Sequence, residues 1–315
     1  MPSSRRSPSL SATFTSATPY VSKVTTRSAN ELGLSRLREA SEYAGMKALS
    51  FYPEPVAATL SYLYAQDAPS QGKVLTVDFG GGTLDLSVIV FDGLEFDVCA
   101  TAGASIGGDH IDQLIFRELL FPLLGKGEIW SRMKDGRLIQ NEFPFEEFED
   151  KLLNWAVTYT LNQNKYRSKV ADCIRQGGAA AEKFERLDDL ITHNYSYLVF
   201  QQIKLAKAEL SEHNETVLDI PELDVSITFT RGHFERLMEN VLVEIERIVD
   251  RVVDKAGCTP GEIDVVIRTG GSSQIAAVRR LLDRKFPERV TEHDPFTSVA
   301  AGLAIASYHG HQFSV

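Results

Sequence analysis

The chain has few cysteines and no excess of positive charge. Its 315 residues include 3 cysteines, none of them in a CxxC pair, which argues against a disulfide framework or a zinc site. Lysine and arginine number 33 against 43 aspartates and glutamates, which gives a formal net charge of −10. Because no basic stripe is present, we expect no binding to nucleic acid through its phosphates. An acidic balance of this size is ordinary for a cytoplasmic protein, and we expect that location.

Long apolar runs and a secretory signal are also missing. No apolar stretch approaches the roughly 18 residues that a membrane helix needs, so we expect no membrane association. Residues 1–30 are rich in serine and threonine and carry basic but no acidic side chains, without an apolar core. A transit peptide has that composition too, but we expect a disordered tail or a mis-assigned start codon.

What is present is a hydrophobic segment interrupted by three glycines. The run VLTVDFGGGTLDLSVIVF predicts strands at Val74–Asp78 and Leu84–Phe91, and a third strand follows at Leu94–Thr101. Glycine and aspartate are poor strand residues, so their position between strands needs another reason. Consecutive N–H groups of a glycine turn form a nest for phosphate oxygens, and flanking carboxylates suit hydrated Mg²⁺. A tight hairpin that uses the glycines for turn geometry alone is the competing interpretation.

A second glycine turn lies about 190 residues later. The stretch IDVVIRTGGSSQIAAVRRLL predicts a strand at Asp264–Arg268, the turn Gly270-Gly271, and a helix at Gln274–Phe286. The N–H groups at a helix start favour an anion or a polar ligand. The alternative is that the turn binds no ligand and that one of the serines after the glycines is an ordinary N-cap of the following helix. Neither turn matches a Walker A loop, and a strand rather than a helix follows the first, which excludes a Rossmann fingerprint.

The remaining periodicity predicts helices that alternate with strands. One helix begins near Asn30 as its N-cap, and another begins at Ala57 after two prolines. On the helix at 195–212, Lys204, Lys207 and Ser211 share one face, which by itself is most simply a solvated face. Strands that feed helices indicate an α/β fold. The other predicted elements are helices at 110–124, 145–176 and 231–256 and a strand at Val225–Thr230.

Taken together and in this order, the motifs resemble the nucleotide-binding domain of the seventy-kilodalton heat-shock chaperones (DnaK-like), within the actin-like ATPase superfamily. The resemblance covers roughly residues 31–309 and is far more specific as an ordered set than in any one motif. The stretches that carry it are PEPVAATLSY, VDFGGGTLDLSV, TAGASIGGDHID, IKLAKAELS, IRTGGSSQIAAVRRLLDRKF and DPFTSVAAGLAIAS.

The resemblance implies an α/β, actin-like ATPase (ribonuclease H-like) fold, with lobe II largely complete and lobe I incomplete. Nothing in the sequence matches the family's N-terminal DxGTT phosphate loop. We therefore expect apolar faces of the helices at 31–64 and 295–309 to be exposed. The implied domains are a tail at 1–30, a remnant of lobe I at 31–70, lobe II at 71–290 (a sheet subdomain at 71–106 and 225–290 with a helical insertion at 107–224), and the closing helix of lobe I with a tail at 291–315.

The resemblance also implies ATP or ADP with Mg²⁺ as ligands. Asp78 would orient the attacking water and, with Asp85, hold the hydrated metal ion, and Glu54 would couple its turn to this catalytic site. Such a site transfers a phosphoryl group to water by positioning and charge neutralisation. The implied nucleotide-binding residues are Gly80, Gly81, Gly82, Thr83, Lys204, Lys207, Ser211, Gly270, Gly271, Ser272 and Gln274.

The chain departs from the family's pattern around the nucleoside. Lys204 stands where an acidic residue is usual, and Ala208 stands where an arginine commonly stacks on adenine. Gln274 and Phe296 replace an arginine and an aspartate. Loss of a stacked cation predicts weaker or altered nucleotide affinity.

These observations lead to a chaperone-type ATP-binding domain whose hydrolysis is weak or lost, with cochaperones or client proteins as possible partners. A nucleotide-dependent interaction module without turnover is the main alternative. A small-molecule kinase of the same superfamily and a filament-forming protein are further alternatives.

Overall fold

A computed structural model describes residues 14–18, 27–46, 49–64, 69–93, 95–294 and 296–309. The strands in these residues are β1 (Phe14–Thr18), β2 (Leu49–Pro53), β3 (Gln71–Phe79), β4 (Leu84–Asp92), β5 (Glu95–Ala104), β6 (Ile129–Lys134), β7 (Arg137–Glu142), β8 (Glu215–Ile220), β9 (Val225–Thr230), β10 (Val265–Thr269) and β11 (Val290–Glu292). The α-helices are α1 (Arg27–Tyr43), α2 (Glu54–Leu63), α3 (Gly108–Leu119), α4 (Glu146–Leu152), α5 (Asn164–Gln176), α6 (Ala181–Thr192), α7 (Ser196–Glu212), α8 (Arg231–Leu237), α9 (Glu239–Lys255), α10 (Ala276–Lys285) and α11 (Ser298–His309).

The described residues divide into two compact units. The first unit takes its residues from 1–108, 241–274 and 278–315, and the second from 109–240 and 275–277. The chain therefore leaves the first unit after β5, builds the second, and returns along α9. No helix among the described residues is long and apolar enough to span a membrane.

A five-stranded mixed sheet organises the first unit. Its strand order is β11-β10-β3-β4-β5, in which β10 is parallel to both of its neighbours and β3, β4 and β5 are antiparallel. Every residue of β3 from Val74 to Phe79 is buried, as expected for a central strand covered on both faces. The mixed sheet with its helices confirms the predicted α/β class.

Helix α2 covers this sheet and is itself covered by α11. Val56 and Leu60 of α2 form one apolar cluster with Ile89 of β4 and Ala306 of α11. Where the two helices cross, a methyl group added at Gly302 would collide with the Ala57 carbonyl oxygen, so only glycine permits this approach.

The predicted exposure of apolar helix faces is wrong for α2 and holds in part for the helices around it. The apolar side chains of α2 are buried, because the sheet lies on one side and α11 on the other. Exposed large apolar side chains occur instead at Leu32 and Tyr43 of α1 and at Tyr308 of α11.

The second unit is mainly helical and has an aromatic core. The Phe143 ring lies 4.8 Å from Phe184 and 5.3 Å from Phe148, measured between centroids. Strand β9 pairs with β8 in a hairpin of this unit and does not join the five-stranded sheet. A second hairpin, β6–β7, turns at Asp135 and Gly136, which both have positive φ angles.

Several predicted helices differ in their boundaries. The stretch at 145–176 is two helices, because a short 3₁₀ turn at Thr158–Leu161 separates α4 from α5. There the Thr158 hydroxyl donates to the Lys151 carbonyl at 2.7 Å, an acceptor that a continuous helix would pair with the N–H of Trp155. The helix at 231–256 is divided at Met238 into α8 and α9. Helix α1 begins at Arg27, so Asn30 lies inside it and is not its N-cap.

Candidate functional site

The first glycine turn joins β3 to β4 and points its tip into solvent. The Gly80 N–H donates to the Thr83 carbonyl at 3.0 Å and closes the loop, while Gly81 and Gly82 are exposed. A methyl group at Gly82 would meet nothing within 4 Å. The turn therefore presents backbone to an open space, as an anion nest requires.

Residues 107 and 108, for which the sequence predicted no role, support this turn from behind. The Gly108 N–H donates to the Gly80 carbonyl at 3.0 Å. A methyl group added at Gly107 would collide with the backbone of Gly81 and Gly82, so no larger residue fits there. Two adjacent glycines at the start of a helix were the available signal for such a close approach.

Two carboxylates flank the turn on the same face of the sheet. Asp78 and Asp85 are directly opposite one another in the β3–β4 register, and cross-strand partners of this kind point to the same side. Their exposures are 7% and 1%. The pKa of Asp78 is raised to about 7, mainly by burial and to a smaller extent by the charge of Glu54 at the start of α2. Burial also raises the pKa of Glu54. Three acidic residues predicted for catalysis or metal binding thus lie in this one unit.

The second glycine turn follows β10, which is the parallel neighbour of β3. Thr269, the last residue of β10, is opposite Asp78 in the register. Gly270 has a φ of +79°, and a methyl group there would lie 2.5 Å from the Phe79 carbonyl oxygen and 2.7 Å from Asp78 Oδ1. Glycine is therefore needed both for the backbone conformation and for the close approach to β3.

A hydrogen bond ties the second turn to the first. Ser272 Oγ donates to the Gly80 carbonyl at 2.9 Å. The turn that holds Ser272 is itself fixed by the buried Arg268, whose Nη1 donates to the Ser273 carbonyl at 2.8 Å. Gln274 ends the same 3₁₀ turn and is half-buried. The structure thus brings together the predicted residues of both glycine turns.

The donor set around the first turn suits a cation that keeps its water. No group of three or more histidine, cysteine, aspartate or glutamate side chains among the described residues could hold a metal ion directly. Asp78 and Asp85 supply two carboxylates, which is the number that Mg²⁺ uses when waters and phosphates complete its coordination. The pair therefore fits the predicted hydrated Mg²⁺ and not a closed protein cage.

The three predicted residues of α7 belong to the second unit. Lys207 Nζ lies 2.5 Å from Asp112 Oδ1 of α3, and this aspartate is fully buried. Burial raises the pKa of Asp112, and Lys207 opposes that shift. Ser211 Oγ donates to the Lys207 carbonyl at 3.4 Å. The role of Lys207 and Ser211 in nucleotide binding stays a prediction, and the pairing with Asp112 was not foreseen.

Lys204 has a more exposed environment on the same helix. Its Nζ lies 3.5 Å from Asp109 Oδ1, and the two side chains are 45% and 66% exposed. The two residues also line a cavity of about 240 Å³ together with Gln113, Leu153, Asn154, Trp155 and Phe200. Ala208, one turn further along α7, is exposed.

Comparison with known proteins gives consistent matches. The family model described as "Hsp70 protein" matches residues 34–137 and 182–309 and leaves residues 138–181 unmatched. A protein named "Chaperone protein dnaK" from Cyanidioschyzon merolae (strain NIES-3377 / 10D) is 26% identical over 278 residues. The aligned part covers 85% of this chain and 36% of the relative, so the chain spans about a third of that protein's length.

Proposed function

Because the chain belongs to the Hsp70 protein family, we propose that it is an ATP-binding domain of a DnaK-like molecular chaperone. Its fold is the α/β actin-like ATPase fold, so the resemblance in the sequence is confirmed for family and fold. The proposed ligands are ATP or ADP with Mg²⁺, the proposed partners are cochaperones or client proteins, and the proposed location is the cytoplasm.

One observation carries the proposal most directly. The hydrogen bond from Ser272 to Gly80 and the contact of Gly270 with Asp78 hold two glycine turns side by side. Exposed backbone at Gly81 and Gly82, with two buried carboxylates beside it, is the chemistry that a metal-bound triphosphate needs.

We propose the following roles for the residues of this site. The N–H groups of Gly81 and Gly82 and the Thr83 hydroxyl donate to phosphate oxygens. The Asp78 carboxylate accepts a hydrogen bond from a water and orients it for attack, and Asp85 shares the metal's water shell. Bound Mg²⁺ supplies charge neutralisation for the phosphates. Such positioning and electrostatic stabilisation provide most of the catalysis in phosphoryl transfer.

Hydrolysis by these 315 residues is proposed to be slow. The sequence contains one loop that resembles the family's phosphate loops and nothing that resembles DxGTT. These features favour binding over turnover, so a nucleotide-dependent interaction module remains the second candidate.

Binding and turnover are separated by two measurements on the same protein. Titration with Mg·ATP in a calorimeter tests binding, and a phosphate-release assay with Asp78→Asn as the control tests hydrolysis. A chaperone-type ATPase releases phosphate at a rate that Asp78→Asn abolishes. An interaction module binds Mg·ATP but releases no more phosphate than the variant, and absence of saturable Mg·ATP binding would overturn both candidates.

A further inference from the structure

Phe296 is an apolar ring that lies in solvent. The side chain is 82% exposed, although it lies in the short connection between β11 and α11. The Asp294 carboxylate accepts hydrogen bonds from the backbone N–H groups of Phe296 at 3.1 Å and of Thr297 at 2.9 Å. The backbone at Phe296 and Thr297 is therefore tied to the Asp294 side chain.

The capping position of Phe296 does not explain this exposure. Asp294 makes the capping hydrogen bonds here: its carboxylate accepts the N–H groups of Phe296 and Thr297, and its carbonyl accepts the Ser298 N–H at 3.4 Å. The Phe296 ring takes no part in these bonds, and at 82% exposure little of its surface contacts the rest of the protein. The ring therefore offers an aromatic face to a ligand at a position that the Asp294 hydrogen bonds define.

The ring lies at the edge of the second glycine turn. A methyl group added at Gly271 would lie 3.6 Å from Phe296 Cε1, which is ordinary van der Waals contact. The connection is tied to the end of β10, because Thr269 Oγ1 donates to the Asp294 carbonyl at 3.3 Å and lies 2.7 Å from Ser298 Oγ. Phe296 therefore has a defined position beside the turn that reaches Asp78 and Gly80.

We propose that Phe296 is the stacking surface for the base of the bound nucleotide and that it makes recognition of the base permissive. This inference rests on the nucleotide-binding function proposed above. A base attached to phosphates on the first turn has an aromatic face available at the second turn, in the same unit. Stacking on an aromatic ring is tolerant of base identity, because every base has a π-face. The expected ligands are therefore nucleoside triphosphates in general, with ATP and GTP bound at similar affinity.

The test compares ligands with and without a base. Wild type, Phe296→Ala, Phe296→Trp and the control Tyr308→Ala are each titrated with Mg·ATP, Mg·GTP and magnesium tripolyphosphate. Tyr308 is a matched control, since it is 86% exposed on α11 of the same unit. Loss of one stacked base contact predicts about tenfold weaker binding of both nucleotides to Phe296→Ala. Tripolyphosphate binding should stay unchanged, Phe296→Trp should bind the nucleotides as wild type does, and so should Tyr308→Ala.

The outcomes distinguish this inference from the function on which it depends. The stacking role is wrong if Phe296→Ala binds Mg·ATP as tightly as wild type does. It is also wrong if the variant loses affinity for tripolyphosphate by the same factor as for the nucleotides. In both cases nucleotide binding by wild type stands. A preference of wild type for ATP over GTP of about a hundredfold or more would show hydrogen-bond readout of the base and overturn the permissive recognition. If wild type binds neither nucleotide nor tripolyphosphate, the proposed function fails and the inference fails with it.

Discussion

The Ser272 hydroxyl donates a 2.9 Å hydrogen bond to the carbonyl oxygen of Gly80, which lies 192 residues earlier in the chain. The same carbonyl accepts the Gly108 N–H at 3.0 Å. Gly80 opens the first glycine turn, and Ser272 belongs to the second. The position of the proposed phosphate nest is therefore set jointly by three separate segments of the sequence.

Replacing Ser272 with alanine should loosen the link between the turns with little effect on the fold. The lost hydrogen bond is worth about 1 kcal/mol. Binding of Mg·ATP to the variant has to realign the two turns, so the affinity should fall by up to about fivefold. Ser273→Ala is the matched control, because its hydroxyl bonds to the Gly270 carbonyl within the second turn at 2.7 Å. Calorimetric titration should show wild-type affinity for Ser273→Ala, and equal losses in the two variants would argue against a special role for the link between the turns.

Alanine should destabilise the protein at Gly270 but not at the adjacent Gly271. Gly270→Ala places a methyl group 2.5 Å from the Phe79 carbonyl oxygen at a φ of +79°, so the backbone has to shift. We expect the free energy of unfolding to fall by at least about 2 kcal/mol, measured by urea titration. Gly271→Ala meets no atom closer than 3.6 Å and should keep wild-type stability. Comparable destabilisation of the two variants would contradict the described packing of β10 against β3.

The sequence predicted the central sheet better than the helices around it. The predicted strands Val74–Asp78 and Leu84–Phe91 lie within β3 and β4. A strand that is buried on both faces is a nearly continuous apolar run, and such a run is easy to recognise in a sequence. The prediction of one continuous helix at 145–176 was wrong, because apolar periodicity does not detect the hydrogen bond of the Thr158 hydroxyl beyond the end of α4. The hairpin β6–β7 was missed although Asp135-Gly136 carries the usual turn signal, and β7, which is mostly exposed, lacks a clear apolar face.

The site was predictable as motifs but not as contacts. Glycine turns, an aspartate before the first and serines after the second are visible in the sequence. The collision that excludes a side chain at Gly107, and the buried partner of Lys207, depend on residues distant along the chain. Only tertiary structure brings these groups together.

The two lysines of α7 should differ in their importance for stability. Lys207→Met leaves the fully buried Asp112 without its cation, which should cost about 3–5 kcal/mol in the free energy of unfolding. Lys204→Met, the matched control on the same helix, removes a partly exposed pair with Asp109 and should cost no more than about 1 kcal/mol. Chemical denaturation followed by far-UV circular dichroism measures both. Equal stability of the two variants would mean that the Lys207–Asp112 pair is solvated.

Asp78 should make the ligand-free protein less stable as the pH rises. Its pKa is about 7 in the folded state against an ordinary value of 3.8, so the folded state holds the proton more tightly. This contribution is complete below the unfolded pKa and is lost as the pH rises through 7. Between about pH 5 and about pH 8, it should lower the free energy of unfolding by about 2–3 kcal/mol.

Asp78→Asn should remove that part of the pH dependence. Glu54→Gln should reduce it by less, because the charge of Glu54 is the smaller of the two causes of the shift. Urea unfolding at a series of pH values, with the exposed Asp219→Asn as control, gives the profiles. Parallel profiles for wild type and Asp78→Asn would be incompatible with a buried carboxyl of raised pKa.

The most direct test of the account is whether both glycine turns hold one nucleotide. The test uses Gly82→Ala and Gly271→Ala, whose added methyl groups fit into the ligand-free protein. The control is Gly261→Ala, which adds a methyl group at an exposed glycine of a different turn. Each methyl group at the two site glycines would occupy space that the nucleotide needs, so Mg·ATP affinity should fall by about tenfold or more in both variants. Calorimetry should show this at unchanged melting temperature, with Gly261→Ala like wild type. If Mg·ATP binds wild type, Gly82→Ala and Gly271→Ala alike, or does not bind wild type at all, the two turns do not form a nucleotide site.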